Sequence, residues 1–208
     1  MKLAVFGGTG RVGRRIIEYA IAGGDTVRAL VRDPARLPVV GSALEHNVGD
    51  VTDSAAVLAT LEGTDAVLSA LGGAGLANPG TTLSQGIRTI VAAMRQLGMR
   101  RVLAVAGSGI LDDSRGAVRA DAPNFPAIYL PITREHRGTW DALRESGLDW
   151  TLVCCPDLLD GERTDRYRAE VNRLPKGGQS ISVEDVAAFM LEEARQRRYV
   201  GQRVGLAY

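Results

Sequence analysis

The residues best suited to chemistry gather near the start of the chain. Gly7, Gly8, Thr9, Gly10, Arg11, Val12 and Gly13 lie between a short apolar run, residues 2–6, and an amphipathic stretch, residues 11–22. Gly7 permits a tight turn, Gly10 lets the backbone approach an anion, and Gly13 lets a helix pack closely on a strand. A helix opening here aims its free N–H groups at that anion. In this strand–turn–helix context the pattern predicts a cradle for the pyrophosphate of a dinucleotide. The second signal is Arg32, Asp33, Pro34, Ala35 and Arg36, where the second strand should end. An acid at this place serves the ribose hydroxyl of NAD, whereas an arginine offers a bidentate fork to a 2′-phosphate, and Arg36 can join it. Asp33 competes, as a ribose ligand or as a cap for the turn begun by Pro34. The charge pattern favours NADP(H), with NAD(H) the lesser alternative.

Stepping along the chain, short apolar runs alternate with helical periodicity from end to end. This predicts a doubly wound α/β fold, a mostly parallel sheet with helices on both faces. Strands are expected at 2–6, 26–31, 44–48, 66–70, 101–106 and 150–154, with a closing segment at 203–206. Helices are expected at 11–22, 53–61, 84–97 and 133–146, and a last one opens on a capping box of Ser182 and Asp185. In that frame Asp50 and Val51 follow the third strand. Asp50 can accept from an adenine amine or, like Asp53, start the next helix. Ala70, Leu71 and Gly72 leave the fourth strand beside the expected cofactor path. Two irregular segments, 72–82 and 108–131, follow the carboxyl ends of strands, where such sheets bind ligands, and are expected to wall a substrate pocket.

At 208 residues the chain fits one such domain over 1–208. With 25 Lys and Arg against 24 Asp and Glu, overall charge gives no reason to expect nucleic acid or a membrane surface as partner. The opening MKLAVFGG lacks the pattern of a signal peptide, and no apolar stretch approaches the roughly 20 residues of a membrane span, so a cytoplasmic protein is expected. Cys154 and Cys155, adjacent in a strand, should face opposite sides and stay reduced. No metal site is expected. Phe125 and Tyr129 are candidate pocket lids. Trp140 and Trp150 are read as core residues, His46 as structural, and Asp157 and Asp160 as a solvated loop.

The GGTGRVG turn, VRDPARLP, GDVTD, GIRTIVAAM, LRESGLDW and SVEDVAAFML together resemble the atypical short-chain dehydrogenase/reductase group, with its flavin reductase (biliverdin reductase B) and NmrA-like branches. The likeness spans nearly the whole chain. It implies NADPH binding by Thr9, Gly10, Arg11, Val12, Arg32, Arg36, Asp50 and Val51, and hydride transfer to a flavin, quinone or similar planar acceptor. It also implies two residues near the acceptor: Ser108, with Gly107 as the competing alignment, and His136, which could orient the acceptor or relay a proton near neutral pH. Two departures stand out. No Tyr-x-x-x-Lys pair follows the fifth strand, Tyr129 being followed four residues later by Thr133, and the second pocket histidine of the flavin reductase branch aligns with Asp157. The first departure disfavours alcohol oxidation and leaves open an NmrA-like NADP(H) sensor, or an isomerase or lyase on the same fold. Monomer and homodimer also stay open.

Overall fold

The computed structural model describes residues 1–39 and 41–208. Strands and helices follow in the order β1 (Lys2–Phe6), α1 (Arg11–Ala22), β2 (Thr26–Val31), β3 (Leu44–Val48), α2 (Ser54–Leu61), β4 (Ala66–Ser69), α3 (Thr82–Gln96) and β5 (Arg101–Gly107). Then come α4 (Leu130–Arg144), β6 (Asp149–Cys155), β7 (Asp157–Leu159), β8 (Arg168–Val171), β9 (Ser180–Ser182), α5 (Val183–Gln196) and β10 (Gln202–Ala207). Eight strands form one sheet in the order β3-β2-β1-β4-β5-β6-β10-β8, while β7 and β9 pair separately. Among the described residues only β8 runs against its neighbour in the large sheet. The doubly wound α/β architecture read from the sequence is the one observed.

Strands buried on both faces explain the near-continuous apolar runs. One face carries a core of Leu3, Val5, Ile16, Ile17, Phe189 and Met190, contributed by β1, α1 and α5. The other packs Phe6, Leu61, Ile87, Ile90, Met94 and Leu143 from β1 and α2, α3 and α4. Cys154 and Cys155 fall on opposite faces, both buried and free. Burial raises both thiols, Cys155 to about 12, so neither is a nucleophile.

A buried ion pair ties the start of the interior strand β5 to helix α5. Arg101 on β5 donates to Glu193 Oε1 of α5 at 2.8 Å, to Thr151 Oγ1 at 2.9 Å and to the carbonyls of Asp149 and Glu193. Glu193, wholly buried, also accepts from the backbone of Arg198 and Tyr199. The two terminal nitrogens of Arg101 and both carboxylate oxygens of Glu193 are met by directed hydrogen bonds, which is what makes the buried charge tolerable, although Arg101 Nε is left without a partner among the described residues.

Several boundaries differ from the sequence reading, each for a local reason. Helix α4 starts at Leu130 rather than near Thr133, because Pro131 lies in its first turn, where a missing N–H costs nothing. Helix α3 starts at Thr82, two residues early; its own cap position gives no side-chain bond, and Glu135 of α4 instead accepts from Ser84 N at 3.1 Å and Ser84 Oγ at 2.9 Å. The segment at 108–131 is not structureless. It holds short 3₁₀ turns at Ser108–Ile110, Arg119–Asp121 and Ala127–Tyr129, with Ile110 and Leu111 fully buried. The capping box at α5 is half formed. Ser182 Oγ accepts from Asp185 N, but the Asp185 carboxylate turns away to accept from Thr164 N, Thr164 Oγ1, Asp165 N and Tyr208 OH. β7, β8 and β9 escaped the sequence reading because they are three or four residues long, and β8 is exposed throughout.

Candidate functional site

The strand order turns back at β1, which lies between β2 and β4. Crossovers on the two sides of β1 leave to opposite faces, so the carboxyl ends of β1 and β4 separate into a crevice. A cavity of about 420 Å³ occupies it. All twelve residues read from the sequence as cofactor-binding line this cavity: Gly7, Thr9, Gly10, Arg11, Val12, Arg32, Arg36, Asp50, Val51, Ala70, Leu71 and Gly72.

The glycine turn is built as its spacing requires. Gly7 has φ +79°, and a Cβ there would lie 2.3 Å from Ala70 O. A Cβ on Gly13 would lie 2.1 Å from Gly7 O, so helix α1 touches the strand end directly. Gly10 is the N-cap of α1; no side chain caps the helix and no acid sits in its first turn. The first amides of α1 therefore face the cavity wall with their partial positive charge uncompensated, which suits a phosphate.

At the end of β2, Asp33 accepts from Ala35 N at 3.1 Å and caps the turn Pro34–Arg36. That leaves Arg32 and Arg36 facing the cavity, and neither pairs with an acid among the described residues. Asp50 Oδ1 accepts from Thr52 N at 2.9 Å and Thr52 Oγ1 at 2.7 Å, while Asp53 caps α2. These bonds from Thr52, with the nearby Arg32 charge as a smaller contribution, hold Asp50 below the usual carboxylate range. Asp50 is thus ionised at neutral pH, with Oδ2 available as an acceptor. An uncapped helix start, two unpaired guanidinium groups and a glycine cradle with no room for side chains fit a nicotinamide dinucleotide.

The far wall includes Val105 of β5 and Leu158 of β7. Leu158 was not singled out in the sequence, since nothing local marks a residue that crosses from beyond β6 to the glycine turn. Arg11 Nη1 donates to Leu158 O at 3.3 Å and to Asp160 Oδ1 at 3.2 Å, so the strand after β6 is laced to the start of α1. Asp157 and Asp160 are exposed.

Ser108 and His136 do not line this cavity; they lie beyond Val105, where β5 ends. His136 on α4 accepts from Gly107 N through Nδ1 at 3.0 Å. A donor N–H at Nδ1 requires the neutral ring with its proton on Nε2, and burial lowers the His136 pKa to about 4. The ring is therefore a hydrogen-bond donor at neutral pH, not a titrating proton relay. A Cβ on Gly107 would meet His136 Nδ1 at 2.9 Å, so glycine at 107 is what lets the ring sit there. Among the described residues no hydrogen bond joins Ser108 Oγ to His136, and the pair is not a nucleophile with its base. The turn Ser108–Ile110 is a hub: a Cβ on Gly109 would touch Thr133 and Phe125. Arg203 of β10 anchors the hub by donating to Ile110 O and to both oxygens of Asp112, while its guanidinium lies 3.9 Å from the centre of the Trp140 ring. The segment at 72–82 closes on the same side, since a Cβ on Gly73 would meet Pro79 and Ile132. Among the described residues no helix is long and apolar enough to cross a membrane.

Known proteins share this arrangement. A solved structure of a candidate exported protein from Burkholderia pseudomallei is 32% identical, covers 100% of both chains and superposes with a TM-score of 0.86. A candidate NADH-flavin reductase from Streptococcus pneumoniae is 29% identical over 100% of this chain and 99% of its own, with a TM-score of 0.82. A curated relative from Streptomyces griseus, (4-alkanoyl-5-oxo-2,5-dihydrofuran-3-yl)methyl phosphate reductase, is 32% identical over 73% of this chain, which spans 46% of that protein's length. The NAD(P)H-binding family model matches residues 7–197. The cradle, its location in the fold and these matches lead to one conclusion: the chain belongs to the NAD(P)H-binding family.

Proposed function

We propose that this protein is an NADPH-dependent oxidoreductase that passes hydride to a flavin, quinone or similar planar acceptor. Residues 1–208 act as one binding unit whose acceptor lies between the segments at 72–82 and 108–131. The observation that carries the reading is the cavity itself: an uncapped helix start over a glycine cradle, with Arg32 and Arg36 unpaired at the end of β2. The reductase relatives from Streptococcus pneumoniae and Streptomyces griseus support the reaction class.

On this reading the amides opening α1 hold the pyrophosphate, Arg32 and Arg36 take the 2′-phosphate, and Asp50 with Val51 meets the adenine. When bound, the nicotinamide supplies the hydride. The chain's own work is positioning. Ala70, Leu71 and Gly72 leave room beside the ring position, and Leu158 shields it from water. Ser108 Oγ and the Nε2–H of His136 donate to a carbonyl of the acceptor and set its angle. Because His136 stays neutral, the proton that completes reduction comes from solvent rather than from the imidazole.

The test is titration with NADPH and NADH, followed at 340 nm after adding FMN and then a quinone dye. Repeated turnover with NADPH preferred over NADH is the expected result. Tight NADP(H) binding without oxidation would replace this reading with a sensor, and an absence of binding would overturn it.

A further inference from the structure

Six arginines among the described residues are buried or half-buried: Arg15, Arg28, Arg101, Arg119, Arg137 and Arg203. Five have a carboxylate partner: Glu18 and Glu184, Glu45, Glu193, Asp121 and Asp112 respectively. Arg119 has none. Its side chain makes no hydrogen bond with any described residue, and its Nε is buried without a partner. Arg101 also has a buried unbonded Nε, but its two terminal nitrogens make four hydrogen bonds. A half-buried guanidinium whose Nε is shut off from water with nothing opposite it carries a cost, and such a group suits a place where a charge from elsewhere meets it.

Its location says which charge. Arg119 opens the 3₁₀ turn Arg119–Asp121, which packs against the turn Ser108–Ile110, the hub that also touches Thr133 and Phe125. Its backbone is fixed on three sides. Arg119 N donates to Leu111 O at 2.8 Å, Asp112 and Val118 form an antiparallel bridge, and Arg137 of α4 holds Asp121 at 2.7 Å. Arg203 in turn ties Asp112 and Ile110 to the sheet. Arg119 is thus carried on a braced hairpin whose turn packs against the turn Ser108–Ile110, well apart in sequence from Arg32 and Arg36 at the end of β2. An arginine on a braced backbone without an internal partner is suited to bind an oxyanion bidentately.

We infer that Arg119 anchors the acceptor through an oxyanion, so that the preferred acceptors are planar ring systems bearing a phosphate, sulfonate or carboxylate rather than their uncharged counterparts. This rests on the acceptor lying at the segment at 108–131, as proposed above. The oxyanion takes the place of the missing carboxylate, and Ser108 and His136 then meet the ring.

The experiment uses matched pairs with and without the charge: FMN against riboflavin, and a naphthoquinone sulfonate against the parent naphthoquinone. Each is measured by binding to the protein with NADP⁺ present, through quenching of flavin fluorescence or by calorimetry, and by turnover with saturating NADPH. Wild type should bind the charged member at least about tenfold more tightly, the scale of one charge-assisted contact. Arg119→Gln should bring each ratio to within about twofold of unity by weakening only the charged member. Arg119→Lys should keep part of the preference, and the Kd for NADPH should stay unchanged in both. Competition by inorganic phosphate and by benzoate separates a phosphate anchor from a carboxylate anchor. Equal affinity for the members of both pairs in wild type, or a ratio unmoved by Arg119→Gln in protein that melts normally, would overturn the assignment. So would a rise in the Kd for NADPH, because it would place Arg119 on the cofactor. Charged-ring binding that depends on Arg119 but gives no turnover would uphold the anchor and overturn the reductase reading.

Discussion

Replacing Arg32 with alanine should convert a cofactor preference into near indifference. Arg32 is exposed at the end of β2, lines the cavity with Arg36, and pairs with no acid among the described residues. A hydrogen bond to a charged group contributes about 1.5 to 3 kcal/mol, and solvent screening at an exposed site argues for the lower end, about 1.5 kcal/mol. That is about tenfold in Kd. A second effect adds to it. Asp50, held ionised chiefly by its bonds from Thr52, lines the same cavity, and Arg32 is the positive charge that offsets it. Without Arg32 the Asp50 carboxylate repels the 2′-phosphate unopposed. The expected rise in the Kd for NADPH is therefore about 10- to 30-fold at low salt, with NADH changed by less than about twofold. Fluorescence titration of both cofactors at low and high ionic strength is the assay, and the gap should narrow as salt rises. Equal weakening for the two cofactors, or none for either, would show that Arg32 does not read the 2′ position.

Three further outcomes follow from the geometry. Gly13→Ala puts a methyl group 2.1 Å from Gly7 O, so the turn must open; NADPH binding should weaken at least about tenfold with a lower melting temperature, and unaltered binding would refute the cradle. Arg101→Met leaves Glu193 buried without its ion-pair partner, which should cost about 3 to 5 kcal/mol in urea unfolding, while Arg101→Met with Glu193→Leu should recover much of it; a single variant as stable as wild type would contradict the pair's role. His136 has a folded pKa of about 4, below the ordinary 6.5. Its contribution to stability is therefore fully present above pH 6.5 and lost as pH falls through about 4, with a slope of up to about 1.4 kcal/mol per pH unit. His136→Gln should flatten that dependence in denaturation measured from pH 7 to pH 4, and should lower turnover more than NADPH affinity. A turnover inflection near pH 6.5 that vanishes in His136→Gln would show instead that the ring titrates.

Patterns carried within one element were legible in the sequence. β1, α1, β2 and β3 have the boundaries read from it, because apolar period and glycine punctuation act over a few residues and do not depend on what packs above them. The lining of the cavity was legible for the same reason: each of the twelve residues lies within about six residues after a strand, and the doubly wound order brings those strand ends together. Signals spread across elements were not legible. The cap on α3 comes from Glu135, fifty-one residues away from Ser84, and the Asp185 carboxylate leaves its expected box for Thr164 and Tyr208.

The same divide runs through the chemistry. Local sequence determined an α/β doubly wound chain with a dinucleotide cradle and an arginine where an acid would read NAD, since turn geometry and charge at a strand end are properties of adjacent residues. Tertiary structure alone decided that Leu158 and Asp160 reach back to the glycine turn, that Gly107 clamps His136 in its neutral form, and that Arg119 Nε is buried without a partner among the described residues. Burial and pairing depend on what the rest of the chain brings alongside a residue, and no spacing within the residue's own segment encodes that.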